Sequence, residues 1–97
     1  MTVAMLVGSS AAADEAPGLP KCITMTSEAR SEGGGYDHVV HLTNQCGAPA
    51  SCTVSTNVEP NPIWADLPNQ QDTVVVTGKG SSETAFRPQA FCIVDDR

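Results

Sequence analysis

The chain has 97 residues, four of them cysteine, and a formal net charge of −6 at pH 7. This length allows one domain, and a domain of this size buries only about 60–65% of its unfolded surface, so the core alone gives little stability. The negative charge argues against binding to nucleic acid or to anionic membrane surfaces, because both are recognised through clustered positive charge.

Residues 1–13 are predicted to be a signal peptide. Residues 1–7 are apolar, and the stretch ending at Ala13 has the small-x-small pattern that signal peptidase accepts. No Lys or Arg precedes Lys21, which a start codon assigned too far downstream would explain. The alternative interpretation is a disordered apolar N-terminus. The apolar run is far shorter than the roughly 20 residues of a membrane-spanning helix.

Residues 21–97 are predicted to form one small antiparallel β-sandwich of immunoglobulin-like type, with six to seven strands and no helix. After a proline-bearing linker over residues 14–20, short alternating apolar runs are separated by turn residues, which is typical of an all-β sandwich or barrel. No window shows a 3.6-residue period. The predicted strands span residues 22–29, 36–44, 52–58, 63–67, 72–77 and 83–94, the last interrupted by Pro88.

The register of the first predicted hairpin bears on the disulfides. A hairpin symmetric about Gly34 sets Cys22 opposite Cys46, but it leaves Val40 and Leu42 facing polar residues. A register shifted by one aligns the apolar faces and takes the two cysteines to opposite sides. Each buried aliphatic side chain contributes about 1.5–3 kcal/mol, so the shifted register is favoured.

Four cysteines allow three pairings. The shifted register favours Cys46–Cys52 as a clip on a loop and Cys22–Cys92 as a link between the first and last strands. Pairing of Cys22 with Cys46 stays open as the alternative. The spacing of Cys46 and Cys52 differs from the Cys-x-x-Cys of redox enzymes and zinc ribbons, so we interpret all four as structural disulfides.

The chain predicts neither a metal site nor a catalytic one. His38 and His41 are three residues apart on a strand, so they point to opposite faces and cannot easily share a metal. Cys92 has no neighbouring His or Met, as a blue-copper site would require. Ser, Asp and His are scattered, with no glycine-framed nucleophile turn and no oxyanion-hole loop. We therefore predict a non-enzymatic protein without a cofactor.

Trp64, the only tryptophan, is the residue that most suggests a binding surface. If Ile63, Ala65 and Leu67 face the core, strand alternation turns Trp64 and Asp66 toward solvent. An exposed Trp is a common anchor of binding hot spots. The alternative is an irregular segment in which Trp64 covers one end of the sandwich, because a small core needs its largest side chain.

The stretch Gly33-Gly-Gly-Tyr-Asp-His-Val-Val-His-Leu-Thr-Asn44, followed by Cys46, Cys52-Thr-Val54 and Phe91-Cys92, carries a resemblance. It resembles a group of small exported, four-cysteine bacterial proteins of unknown function. The likeness covers about residues 22–94 and implies a shared disulfide-bearing β-domain. It implies no activity and no site residue.

Together these patterns predict a secreted or periplasmic, non-catalytic binding or interaction module with a protein or carbohydrate partner. They predict no nucleic-acid partner and no membrane span, and they leave the oligomeric state open. The alternative is a small secreted inhibitor or effector that acts on an exported enzyme through a loop bracketed by Cys46 and Cys52.

Overall fold

The structure, a computed structural model, describes residues 19–95; the predicted signal peptide and most of the predicted linker lie outside this range. Within it the chain forms six β-strands and no helix. The strands are β1 (Ile23–Glu32), β2 (Gly35–Asn44), β3 (Ala50–Thr56), β4 (Ile63–Leu67), β5 (Asp72–Ser81) and β6 (Pro88–Val94).

The six strands form two three-stranded antiparallel sheets, which confirms the predicted all-β fold. The first sheet has the order β1-β2-β5 and the second the order β4-β3-β6. The chain therefore passes from one sheet to the other after β2, after β4 and after β5. This order is compatible with an immunoglobulin-like sandwich, in which the first, second and fifth strands share one sheet.

Both sheets contribute alternate side chains to one common hydrophobic core. Met25 and Leu42 come from the first sheet and Val54 and Leu67 from the second, and each is at most 1% exposed. This alternation follows from the two-residue period of a strand with one buried face. The structure confirms which face was predicted to be buried in β1, in the C-terminal half of β2 and in β4.

Substitutions on the two faces of β2 should differ clearly in their effect on stability. Val40→Ala and Leu42→Ala should each lower the free energy of unfolding by about 2–4 kcal/mol, because both side chains are fully buried. His41→Ala, on the outer face, should stay within about 1 kcal/mol. Urea unfolding of the three variants measures this, and a larger loss for His41→Ala would contradict the assignment of faces.

The first hairpin adopts the shifted register predicted from its apolar faces. Met25 lies opposite Leu42 and Ile23 opposite Asn44. A two-residue turn at Gly33 and Gly34 joins the strands, with φ of 58° and 90°. Positive φ at both positions matches the twist of antiparallel strands and favours glycine.

The predicted disulfide pairing is wrong: the bonds are Cys22–Cys46 and Cys52–Cys92. The prediction carried strand alternation beyond the ends of β1 and β2, where it no longer applies. Cys22 and Cys46 both lie past the last pair of this ladder, and Gly47, with φ of 82°, lets the chain turn there. Their Cα atoms are 4.9 Å apart despite the shifted register.

The second disulfide follows directly from the register of β3 and β6. Cys52 and Cys92 lie opposite each other, both point into the core, and their Cα atoms are 4.0 Å apart. All four cysteines are thus in disulfides, as predicted. The loop between Cys46 and Cys52 is not closed by a bond of its own, because each of these cysteines is bonded to a cysteine elsewhere in the chain.

The predicted boundaries after residue 77 need correction. Residues 78–82 were expected to be a turn, but β5 continues to Ser81 and pairs with Tyr36. The glycines there permit irregular pairing and close approach: a Cβ on Gly35 would lie 2.9 Å from the Gly80 backbone. Residues 83–87 were expected in the last strand but form a loop, and Pro88 begins β6 rather than interrupting it.

Candidate binding face and a buried histidine–glutamate pair

The outer face of the second sheet carries three large apolar side chains that are exposed to solvent. Trp64 on β4 is 67% exposed, and Phe91 and Ile93 on β6 are 57% and 64% exposed. In the register, Thr53 of the central strand lies between Trp64 and Phe91, and Ser51 lies between Asp66 and Ile93. We define the outer face as these six residues: Ser51, Thr53, Trp64, Asp66, Phe91 and Ile93.

The core fixes these outward positions. Because Ala65 and Leu67 are buried, Trp64 and Asp66 must point outward, as predicted. Trp64 does not cover an end of the sandwich. Phe91 and Ile93 were missed at the sequence level, although an inward Cys92 implies that both its neighbours point outward.

The outer face has hydroxyl side chains on its central strand, apolar side chains on both flanking strands, and no positive charge. Trp64 and Phe91 flank β3, so their Cα atoms lie about 10 Å apart, twice the spacing of neighbouring strands. A shallow depression beside Phe91 is lined by Thr53, Ser55 and Gln89. Hydroxyl and amide groups therefore lie beside the aromatic rings, and Asp66 supplies the only charge.

A second notable site, at the end of the first sheet, is a buried ion pair. His38 is 0% exposed, and its Nδ1 lies 2.8 Å and 3.1 Å from the two carboxylate oxygens of Glu59. Its Nε2 donates to the backbone carbonyl of Glu83 at 2.7 Å. Because a carbonyl can only accept, Nε2 must carry a proton. The imidazole also stacks on Phe86, with ring centroids 4.2 Å apart.

Two threonine hydroxyl groups also form hydrogen bonds with the Glu59 carboxylate. Thr56 Oγ1 donates to it at 2.7 Å, and Thr77 Oγ1 lies at 3.2 Å. The Thr56 hydroxyl in turn accepts from the backbone N–H of Glu59 at 2.7 Å, a local turn that ends β3 two residues earlier than predicted. Gly78 leaves room for this carboxylate, because a Cβ there would overlap it.

These contacts favour the charged forms of both partners. Burial disfavours the imidazolium, but the hydrogen bonds to the Glu83 carbonyl and the Glu59 carboxylate outweigh it and raise the pKa of His38 above 6.5. Burial likewise disfavours the carboxylate, but the hydrogen bonds from Thr56 and His38 outweigh it and lower the pKa of Glu59 below 4.5.

The imidazole of the His38–Glu59 pair is enclosed by the protein. Both ring nitrogens of His38 are engaged in hydrogen bonds, and the ring is buried. His41 points to the other face and contacts Glu28 at 2.9 Å, which separates the two histidines as predicted. Across residues 19–95, no three His, Cys, Asp or Glu side chains lie together in a way that could hold a metal ion.

The fold and its disulfides define a small all-β domain with an apolar outer face. Comparison of the chain with protein-family models, with curated proteins and with solved structures gives no match. None of residues 19–95 belongs to a helix long and apolar enough to cross a membrane.

Proposed function

We propose that this protein is an exported, non-catalytic binding module that contacts its partner through the outer face of the second sheet. The observation that supports this most is the exposure of Trp64, Phe91 and Ile93 on one face. Single exposed apolar side chains are ordinary, but several of them on one face of a folded domain often mark an interaction site.

The chemistry of the face limits the partner. Trp and Phe offer large, rigid contact areas and are frequent anchors of binding. The hydroxyls of Ser51 and Thr53 between them can pair with hydroxyl or amide groups, and the Asp66 carboxylate disfavours an anionic ligand. A carbohydrate chain or an uncharged to basic protein surface fits this pattern.

Trp64→Ala should weaken binding by about 2 kcal/mol or more, the loss typical of an aromatic anchor. It should change the free energy of unfolding by less than about 1 kcal/mol, because little packed surface is lost at an exposed site. Binding is measured first as retention of the labelled protein on insoluble cell-wall polysaccharides and on immobilised envelope proteins. The variant is then titrated against whichever ligand retains the wild type.

Val74→Ala is the matched control, because Val74 is 52% exposed on the outer face of the other sheet. It should bind like the wild type. Native Trp64 fluorescence should be red-shifted and readily quenched by a soluble quencher. Blue-shifted emission, or equal loss of binding in both variants, would contradict the role of this face.

Export is the second part of the proposal, and the two disulfides support it because such bonds persist in oxidising compartments. The intact mass of the protein recovered outside the cytoplasm should begin at Asp14. It should also be four hydrogens lighter than the reduced chain, two for each disulfide. Free thiols in the recovered protein would remove the argument for export.

A further inference from the structure

Strands at the edges of sheets expose backbone groups that can pair with another strand, and proteins protect such edges with charges, prolines, bulges or short length. Within the described residues the edge strands are β1, β5, β4 and β6. Three are protected: β1 is charged, β4 has five residues, and β5 pairs irregularly with β2. The protecting residues are Glu28, Arg30 and Glu32 in β1, Pro62, Asp66 and Pro68 in or beside β4, and Asp72 and Lys79 in β5.

Among residues 19–95, the β6 edge has no such protection beyond Pro88 at its start. Residues 89–94 are Gln-Ala-Phe-Cys-Ile-Val, without a charge or a proline. The segment pairs with β3 without a bulge and is therefore straight and regular. Uncharged segments of this length with high β-propensity pair readily with other strands.

The register identifies which backbone groups of β6 are free to pair. The Asp95 N–H donates to the Pro49 carbonyl. Because the direction of the backbone N–H and C=O groups alternates along a strand, those of Ile93, Phe91 and Gln89 also point toward β3. The short Cα separation of Cys52 and Cys92, 4.0 Å, is that of a pair without mutual backbone hydrogen bonds. The N–H and C=O groups of Ala90, Cys92 and Val94 therefore point away from β3, toward the edge with which no other described strand pairs.

We propose that this edge pairs antiparallel with the β6 edge of a second copy of the chain, about a two-fold axis at Cys92. In this register Ala90 faces Val94 of the other copy, and Cys92 faces its equivalent. All three free positions are then used, which gives about six backbone hydrogen bonds because each such pair exchanges two. On the outer side, Phe91 lies beside Ile93 of the other copy, an apolar cross-strand pair.

Charge favours the β6 edge over the other edges of the domain for contact between two copies. Two chains of net charge −6 repel each other, so they can approach closely only along an uncharged segment. In the register about Cys92, Asp95 of one copy lies opposite Gln89 of the other and not opposite another carboxylate. The pairing is self-complementary, as a two-fold interface requires.

The dimer would contain one continuous six-stranded sheet that carries two outer faces side by side. Their apolar residues on β6 would meet at the axis and be partly covered there. Phe91 and Ile93 belong both to the outer face and to the paired edge, but Trp64 lies on β4, two strands away from that edge, so Trp64→Ala tests the proposed function without changing the dimer contact.

Sedimentation equilibrium of the disulfide-bonded protein over about a hundredfold range of concentration tests the dimer. We expect a reversible monomer–dimer equilibrium. Ile93→Glu places a charge in the paired edge and should weaken the dimer about tenfold or more. Val94→Pro removes a free-edge N–H without removing a bond to β3 and should abolish the dimer.

Val74→Glu is the matched control, since it adds the same charge at an exposed valine of the other sheet. Both Val74→Glu and Trp64→Ala should keep the dimer affinity within about twofold of the wild type. If Val94→Pro fails to fold, Ile93→Glu decides. A monomer at all concentrations, or a dimer that Ile93→Glu leaves unchanged, overturns the proposal. So does hydrogen-exchange protection of the Ala90, Cys92 and Val94 amides that is independent of concentration, which would show that another part of the same chain covers the edge.

Discussion

Glu59→Gln is expected to lower the free energy of unfolding by about 3 kcal/mol, because it leaves a buried imidazolium without its counter-charge. His38 is 0% exposed, whereas the Glu59 side chain is 21% exposed, so the loss should fall at the lower end of the range for buried pairs. The change also replaces an acceptor-only carboxylate that receives hydroxyl donors from Thr56 and Thr77.

The pair should also give the wild type a defined pH dependence. Because the pKa of His38 is raised on folding, its stabilisation is complete below 6.5 and is lost as the pH rises through the folded-state value. Because the pKa of Glu59 is lowered, its stabilisation is complete above 4.5 and is lost as the pH falls through the folded-state value. The contribution of the pair is therefore greatest between about pH 4.5 and 6.5.

Urea unfolding at pH 5.5 and pH 8 measures both effects. The fall in stability between these two pH values should be smaller in Glu59→Gln than in the wild type, because burial still lowers the pKa of His38 there and only the hydrogen bond to the Glu83 carbonyl remains to raise it. Glu32→Gln is the control, since it makes the same chemical change at an exposed position near the hairpin turn. Equal pH dependence in all three proteins would contradict the charged pair.

Removing the Cys52–Cys92 disulfide by double substitution with Ala should cost about 4 kcal/mol from chain entropy alone, given the sequence separation of 40. Both sulfur atoms lie in the core, so lost packing adds to this. The total free energy of unfolding of a native domain is about 5–15 kcal/mol, so the variant should be marginally stable. Thermal unfolding of the variant and the wild type measures the difference.

The corresponding Cys22–Cys46 variant provides the comparison. Its separation of 24 predicts a loss of about 3.5 kcal/mol from chain entropy, and lost packing should add less than for Cys52–Cys92 because Cys22 and Cys46 are only partly buried. A larger loss for this pair than for Cys52–Cys92 would show that core packing does not distinguish the two bonds.

A tryptic digest without reduction distinguishes the observed pairing from the one predicted from the sequence. Cleavage at Lys21, Arg30 and Lys79 should leave residues 22–30, 31–79 and 80–97 in one linked species, because the middle peptide holds Cys46 and Cys52. Release of residues 31–79 as a separate peptide would mean that Cys46 and Cys52 are bonded to each other.

The parts of the fold that depend on strand alternation were predictable from the sequence. Alternation placed Ile23 and Met25 in the core, set the register of the first hairpin, and turned Trp64 and Asp66 outward. Burial of aliphatic side chains dominates these choices, and it acts at every second residue. The all-β class follows from the same pattern.

The failures lie where alternation stops. Cys22 and Cys46 pair beyond the ends of their strands, so reasoning from faces gave the wrong partner. The His38–Glu59 contact joins β2 to the loop after β3, 21 residues along the chain, and the short-range pattern gives no signal of it. Phe91 was missed for another reason: the segment around Pro88 was interpreted as interrupted rather than as a strand that begins there.

Each disulfide joins neighbouring strands of one sheet, and the two closed loops follow each other along the chain without overlap. Tension applied to the two ends of the domain would therefore be carried by the two disulfide bonds. Residues 23–45 and 53–91, which lie inside the closed loops, would bear none of it. Between Cys22 and Cys92, the only free peptide runs from Cys46 to Cys52 and could lengthen to about 20 Å, against about 240 Å in a reduced chain. An oxidised domain of this kind is nearly inextensible even when unfolded, so it would transmit a pull between its two ends at an almost constant length.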